Sequence, residues 1–383
     1  MVEYPADWKV MKLGQVAPLQ RGFDLPTKDL EEGPYPVVYS NGICNYHSHA
    51  KCTGPGLVTG RSGTIGKFTY IDEGGYWPHN TALWVTSFNG NDPLFIKYLY
   101  ETVGFDKYAS GSGVPTLNRN EVHQHDLCIP PLPEQRRIAA VLSNADKLIA
   151  NVEKRIAKKR AIKQGAMQEL LTGKKRLPGF SGEWKKKILG ISATVKARIG
   201  WQGLTTAEYF KDGDHYLVNG VNIENGRVNW QTCFMVDEKR YAQDKNIQLQ
   251  NSDVLVSKDG TIGKVAYVEN MPRTATLNSG VFVVRSIDAE LSQEYLARVF
   301  LSMWFDDFIE KITAGSTIVH LYQKDIVQFA FQVPPTLAEQ RAIAKVLSGM
   351  DAEIANLERK LEKLKLMKQG MMQDLLTGKV RLK

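Results

Sequence analysis

The chain has 383 residues, a formal net charge of +8, 43% hydrophobic and 23% charged residues. At roughly 100 to 200 residues per domain this is material for two or three domains with buried cores, which excludes a lone module, wholesale disorder and a collagen-like fibre. No apolar run approaches the roughly 18 residues needed to span a bilayer, the first 25 residues lack the apolar stretch of a secretion signal, and Cys44, Cys52, Cys128 and Cys233 form no disulfide framework, so a cytoplasmic protein with no membrane partner is expected. Charge is unevenly spread: residues 134–177 hold 12 Lys/Arg against 4 Asp/Glu and residues 339–383 hold 10 against 6, leaving the rest net acidic. The basicity of two segments cannot make the whole chain a gross-charge binder of nucleic acid.

In chain order, the first part opens with Asp7-Trp8-Lys9 and Leu13-Gly14. Short β-branched and aromatic runs between Gly, Asn and Asp turns predict strands over 35–39, 56–59, 66–71 and 81–86, and apolar spacing of three and four predicts a helix over 95–102. Pro130-Pro131 precedes a long helical segment, 134–177, that Gly173 is suited to cap. Glu183-Trp184-Lys185 and Leu189-Gly190 then repeat the opening. Strands are expected over 254–257, 263–268 and 280–285, a single helix over 292–308, and a second long helical segment, 339–382, after Pro334-Pro335 with Gly378 as its cap.

Residues 134–177 align without a gap onto 339–382, with 26 of 44 positions identical. A repeat of this kind outranks any local motif. Alternating three- and four-residue steps place Ile343, Leu347, Met350, Ile354, Leu357, Leu361, Leu364, Met371 and Leu375 on one seam, interrupted by Lys368. The first copy matches with Ile138, Leu142, Ala145, Ile149, Val152 and Ile156, then Lys159 and Lys163, which are expected to snorkel or to sit where the helices diverge. A seam that long needs a cover, and the other copy supplies one. The expected fold is α+β: two globular, β-rich mixed domains separated by two long antiparallel coiled-coil helices, an internal pseudo-twofold repeat. The implied boundaries are 1–129, 130–177, 178–333 and 334–383. The alternative is that both helices are ordinary members of one domain.

Enzyme signatures are missing. GTIGK, at 63–67 and again at 260–264, lacks the Walker glycine, where Arg61 and Lys258 stand, and the following Ser/Thr, where Phe68 and Val265 stand. There is no GxGxxG, GxSxG or HExxH, and neither Pro-Pro pair completes an amino-methyltransferase motif. Cys44, His47, His49 and Cys52 are too compressed for a tetrahedral site, and His123 and His125 read as edge or surface groups, so no metal site is assigned. The two glycine loops, by contrast, combine close backbone approach with cations that reach phosphate or guanine edges. The loop candidates for DNA contact are Asn41, Arg61, Ser62, Thr64, Lys67, His79, Asn80, Asn118 and Arg119 in the first half. In the second they are Gln202, Asn219, Lys258, Asp259, Thr261, Lys264, Asn278, Tyr322 and Lys324, with Asp259 suited to accept from cytosine N4. A generic β-turn is the plain alternative for either loop, and a turn residue for each asparagine.

Across essentially its whole length the chain resembles the specificity subunit of type I restriction-modification systems. The residues that carry the likeness are WKVMKLG (8–14), YSNGI (39–43), GPGLVTGRSGTIGK (54–67), HNTALWV (79–85), SGSGVPTLN (110–118), IPPLPEQRRIAAVL (129–142) and LLTGKKRLPGFSGEW (170–184). The resemblance implies two target recognition domains, each reading one half of a split, asymmetric site in double-stranded DNA, with an antiparallel helix pair setting the gap. It implies two modification subunits, forming an adenine-N6 methyltransferase, and two motor-nuclease subunits as partners. S-adenosylmethionine, ATP and Mg belong to those partners; the chain itself binds no cofactor and is not an enzyme. Differences between the halves, such as SKDGTIGK for RSGTIGK, imply two different half-sites. Lys154, Arg155, Lys158, Lys159, Arg160 and Lys163 serve either DNA phosphates or an acidic partner. The rival reading is a coiled-coil scaffold whose heads bind proteins.

Overall fold

The computed structural model describes residues 5–111, 113–200, 203–314 and 320–382. The chain divides into two compact units, Met1–Arg155 with Glu358–Lys383, and Ile156–Leu357. The division passes through both long helical segments, so each unit is a head with parts of two helices.

Unit 1 contains strands β1 (Lys9–Lys12), β2 (Leu19–Arg21), β3 (Tyr35–Tyr39), β4 (Gly42–His47), β5 (Cys52–Thr53), β6 (Gly56–Gly60), β7 (Phe68–Ile71), β8 (Gly75–Pro78), β9 (Ala82–Val85), β10 (Ala109–Ser110), β11 (Thr116–Leu117) and β12 (Asp126–Ile129). Its helices are α1 (Leu13–Val16), α2 (Pro93–Val103), α3 (Arg119–Val122) and the first part of α4 (Leu132–Leu170). One sheet has the order β2-β9-β6-β7, a second β4-β3-β8-β5, and two-stranded ladders join β1 to β12 and β10 to β11. Every residue of β6 is buried, as befits a central strand, the one polar side chain being that of Thr59. Asp92 caps α2 by accepting the Phe95 N–H at 2.8 Å, Pro93 occupies the first turn, and Gly104, at φ 72°, ends it. The core joins Leu13, Leu57, Phe95 and Tyr100 of the head to Ile138 and Leu142 of α4.

Unit 2 repeats this construction with β13 (Lys185–Ile188), β14 (Ala193–Lys196), β15 (His215–Val218), β16 (Ile223–Glu224), β17 (Arg227–Val228), β18 (Phe234–Val236), β19 (Val254–Ser257), β20 (Val265–Tyr267), β21 (Ala275–Leu277), β22 (Val281–Ser286) and β23 (Ala330–Val333). Its helices are α5 (Leu189–Ser192), α6 (Glu238–Ala242), α7 (Gln293–Phe300), α8 (Met303–Thr313), α9 (Gln323–Ile326) and the first part of α10 (Leu337–Leu375). The sheets β14-β22-β19-β20 and β18-β15-β21 answer the two sheets of unit 1. The single helix expected over 292–308 is two. The Ser302 hydroxyl donates to the Val299 carbonyl at 2.6 Å and the Ser302 backbone is extended, which breaks the helix and lets Phe300 and Phe305 meet at 4.6 Å in the core.

Within each unit the long helices pack antiparallel. In unit 1 Lys368 reaches Asp146 at 2.6 Å and Lys365 reaches Glu153 at 3.2 Å; in unit 2 Lys159 reaches Glu353 at 2.7 Å and Lys163 pairs with Asp351. The seam lysines therefore neither merely snorkel nor mark divergence. A half-buried ammonium on the seam is compensated by an acid on the facing helix. Ile138, Leu142, Ile156, Leu347, Ile354 and Leu357 are buried on the seam, while Ile149, Leu361 and Leu364 are half-buried. No helix among the described residues is long and apolar enough to cross a membrane.

Both units anchor the tail that follows a long helix in the same way. Arg176 grips Glu339 with two 2.6 Å hydrogen bonds and lies 5.9 Å over the Trp184 ring; Arg381 grips Glu134 at 2.7 and 2.8 Å and lies 5.8 Å over Trp8. Both glutamates are buried. Beside them Gln135 accepts the Asp92 N–H at 2.9 Å, and Gln340 the Ser292 N–H at 2.8 Å, tying each long helix to the start of a head helix.

Candidate nucleic-acid interface

In unit 1 the glycine loop joins β6 to β7 and is stapled at both flanks. The Arg61 and Ser62 N–H groups donate to the Thr81 carbonyl at 2.9 and 3.3 Å, Gly63 N–H donates to Pro115, and Leu117 N–H to Arg61 at 2.8 Å. Gly60 has no room for a side chain, since a Cβ there would lie 1.7 Å from the Thr64 carbonyl oxygen; Gly63 and Gly66 hold φ of 82° and 79°. Ser40 lies against Gly60, the Tyr39 and His79 rings are 4.3 Å apart, and Asn80 donates to Asp24, which also pairs with Arg21 at 3.3 Å. The turn at Ser40 and Asn41 thus lies beside Gly60 and, through Tyr39, His79, while Arg61 joins the loop to the segment that carries Asn118 and Arg119. Arg21, Asp24, Arg61, Asn118, Arg119 and Asn120 line a cavity of about 620 Å³ there. Three guanidinium groups face one carboxylate, and the Arg61 Nε is buried without a partner, so the cavity favours an anion or a hydrogen-bond acceptor. Thr64 and Lys67 are exposed on the loop. Burial holds the His79 imidazole below its ordinary pKa.

Unit 2 builds the same frame with other side chains. Lys258 N–H donates to Gly280 and Leu321 N–H to Lys258, both at 2.9 Å, as Arg61 and Leu117 do in unit 1. The Ser257 hydroxyl donates to the Thr261 carbonyl at 2.6 Å and accepts the Lys264 N–H at 2.9 Å, closing the loop. Asp259 is already engaged by His320 and, at 3.4 Å, by Lys258, so less of its acceptor capacity is left for a cytosine. Asn278 donates to the Tyr209 hydroxyl at 2.7 Å, the Asn219 N–H donates to Asn222 at 2.8 Å, and the Lys324 ammonium sits 5.5 Å over the exposed Tyr322 ring. Gln202 lies outside the described residues, as do Ser112 and 315–319 of the two matched loops.

The remaining polar clusters have structural explanations. His123 is held below its ordinary pKa by burial, reinforced by the Arg119 charge, and its Nε2 accepts the Leu19 N–H at 2.9 Å; His125 bonds the Tyr108 hydroxyl at 2.7 Å. The His47 Nδ1 accepts the Glu31 N–H at 3.1 Å, and burial pushes the Cys52 thiol up to about 11. Among the described residues no three metal-type ligands converge. Sequence reasoning missed Arg21 and Asp24 of the cavity and the exposed run Ile43-Cys44-Asn45-Tyr46 on β4. The failure of that run to alternate apolar with polar residues was the available signal.

The family model of the type I restriction modification DNA specificity domain matches residues 5–159 and 205–366. The type I restriction enzyme MjaVIII specificity subunit of Methanocaldococcus jannaschii is 25% identical over 294 residues, which is 71% of this chain and 66% of that protein. A putative type I restriction enzyme MjaX specificity subunit of the same organism is 26% identical over 309 residues, 77% of this chain and 70% of that protein. The chain spans about two thirds of the length of these relatives. Among solved structures, the type-I restriction-modification system S subunit from M. genitalium matches with a TM-score of 0.70 at 14% identity, covering 98% of this chain and 97% of that one. A chain from work on complex assembly and conformational transition of the type I R-M system matches with a TM-score of 0.55 at 16% identity, covering 99% and 100%. These two likenesses are likenesses of fold.

Proposed function

Because this chain belongs to the type I restriction modification DNA specificity family, we propose that it is the non-catalytic subunit that reads a bipartite, asymmetric site in double-stranded DNA, one half per unit. The observation that carries this reading is one main-chain frame built twice with different side chains: Arg61 and Ser62 in unit 1 stand where Lys258 and Asp259 stand in unit 2, each loop held by the same pair of backbone hydrogen bonds. A shared scaffold with divergent tips is what two distinct half-sites require, since base edges are read by side chains while phosphate contacts set register. Asn41, Arg61, Asn118 and Arg119 are the reading and clamping groups of one half; Asn219, Lys258, Asp259, Tyr322 and Lys324 are those of the other.

The long helices set the unread gap and dock two modification subunits that together methylate adenine N6; two motor-nuclease subunits complete the restriction complex. S-adenosylmethionine, ATP and Mg act on those partners. Of the basic residues on α4, Lys159 and Lys163 are committed to Glu353 and Asp351, which argues against a purely phosphate-binding role for that stretch. Co-expression with the modification subunit, followed by genome-wide mapping of methylated adenines, tests the reading. A split motif with an unread gap is expected. A continuous motif, or none from a well-formed complex, overturns it.

A further inference from the structure

Strand β4 is an anomaly in unit 1. It is the outer strand of the sheet β4-β3-β8-β5, and Ile43, Cys44, Asn45 and Tyr46 are all exposed, Ile43 at 43% and Tyr46 at 53%. The pairing with β3 slips between Val37 and Val38, leaving Cys44 as a bulge that breaks strict alternation, yet exposure of four consecutive residues still means that neither face of this strand is fully covered. Edge strands are ordinarily protected by charge, proline or a covering segment. No charged residue or proline stands over 42–46, and among the described residues its main-chain hydrogen bonds run to β3 alone. The corresponding strand in unit 2, β18, is covered: Phe210 and Met235 exchange hydrogen bonds at 2.9 and 2.8 Å along its outer edge, and Tyr209 packs on Phe234 at 5.5 Å. The bare edge is therefore particular to unit 1.

We propose that the outer edge of this sheet, β4 with the turn at Ser40 and Asn41, acts as a DNA-reading ribbon, with Asn45 and its neighbours Asn41, Ile43 and Tyr46 meeting base edges in the major groove as the specificity determinants of the unit 1 half-site. The inference rests on the DNA-reading role proposed above and names the element that performs it. β3 is paired on its other side with β8 and its Val37 and Val38 are buried, so β4 and the turn before it are what can reach a base edge. Strand addition by a protein would use the main-chain edge, whereas here four consecutive side chains stand in solvent, as groove readout by side chains requires. The ribbon ends in the turn at Ser40 and Asn41, beside Gly60 and the cavity carrying Arg21, Arg61 and Arg119, so it is continuous with the cationic surface a phosphate backbone requires. Asn45 spends one amide proton on the Tyr39 hydroxyl, at 3.0 Å. Its carbonyl oxygen and second N–H remain, the acceptor and donor that adenine N6 and N7 demand. Ile43 offers the apolar surface suited to a thymine methyl.

The test uses the full chain in complex with its modification subunit. For Asn45→Ala and Asn45→Asp, methylated-motif mapping is expected to show relaxation at one position of one half-site only, with roughly a tenfold or greater loss of discrimination there. Thermal unfolding should be unchanged, because the side chain is exposed. Independently, alkylation of the exposed Cys44 thiol, followed by peptide mass spectrometry, should slow on cognate DNA and not on DNA lacking the motif. A split wild-type motif that Asn45 variants leave intact, with Cys44 equally reactive on DNA, overturns the ribbon and leaves the bipartite reading standing. Shielding of Cys44 by the modification subunit without DNA assigns the strand to a protein interface and overturns it too. A wild type with no split motif removes the underlying reading and the ribbon with it.

Discussion

Arg381→Ala measures how a tail holds a head. Arg381 makes hydrogen bonds of 2.7 and 2.8 Å to Glu134, whose side chain is 5% exposed, and of 2.8 and 2.7 Å to Asp7, which is half-exposed. The Asp7 pair contributes at most about 1 kcal/mol, as exposed pairs do. Removing the guanidinium from Glu134 strands a buried carboxylate and costs about 3–5 kcal/mol. The chain has two units and does not report one unfolding free energy, so the assay is hydrogen exchange on β1 and β12 in unit 1 against β13 and β23 in unit 2. Protection should fall by on the order of 10² to several times 10³ in the first ladder and hold in the second. Glu134→Leu with Arg381→Leu should restore much of the loss, because no unpaired charge remains. The pH dependence has a definite sign. The hydrogen bond from Arg381 holds the Glu134 carboxyl below its usual range, so the pair's stabilisation is complete above the unfolded value of about 4.3 and disappears as pH falls through the lowered folded value. In Arg381→Ala the carboxyl keeps only the Leu382 N–H and Trp8 hydrogen bonds against burial, so it rises relative to the wild type, and the variant recovers part of the lost stability on acidification as the two proteins converge. A loss below about 1 kcal/mol at neutral pH, or strict additivity of the double variant, would refute the reasoning.

The same logic reaches three other places. Gln340→Leu leaves the Ser292 N–H and the Pro334 and Glu290 carbonyls without their partner and should cost about 2–4 kcal/mol, read as exchange at the start of α7. Lys368→Glu faces Asp146 with a like charge on the seam and should loosen the helix pair of unit 1; a double-mutant cycle with Asp146→Lys should show a favourable coupling, and its absence would mean that the pair is ornamental. Gly60→Ala drives a Cβ into the Thr64 carbonyl and must move the loop, so methylation mapping should show relaxation in one half of the motif while the other half keeps its bases.

What the sequence by itself determined is whatever is periodic or local. The heptad-like spacing of Ile138 to Ile156 and of Ile343 to Leu375 required two long seams, because a stripe of that kind has few other ways to leave water. The gapless repeat required two copies of one construction, and the glycines of GTIGK required a tight turn, because close approach and positive φ leave few alternatives. Long-range partners decided the rest. Nothing near Lys163 or Lys368 in sequence foretells Asp351 or Asp146, and the break at Ser302 follows from the need of Phe300 and Phe305 to share one core. The repeated Glu-Gln at the start of each long helix and Arg-Leu after its end were visible, yet the buried clamp they form depends on which head each tail meets. The bare edge of β4 lies further from the sequence: its unalternating run hints at exposure, but that Phe210 covers β18 while nothing among the described residues answers it in unit 1 is set by tertiary pairing.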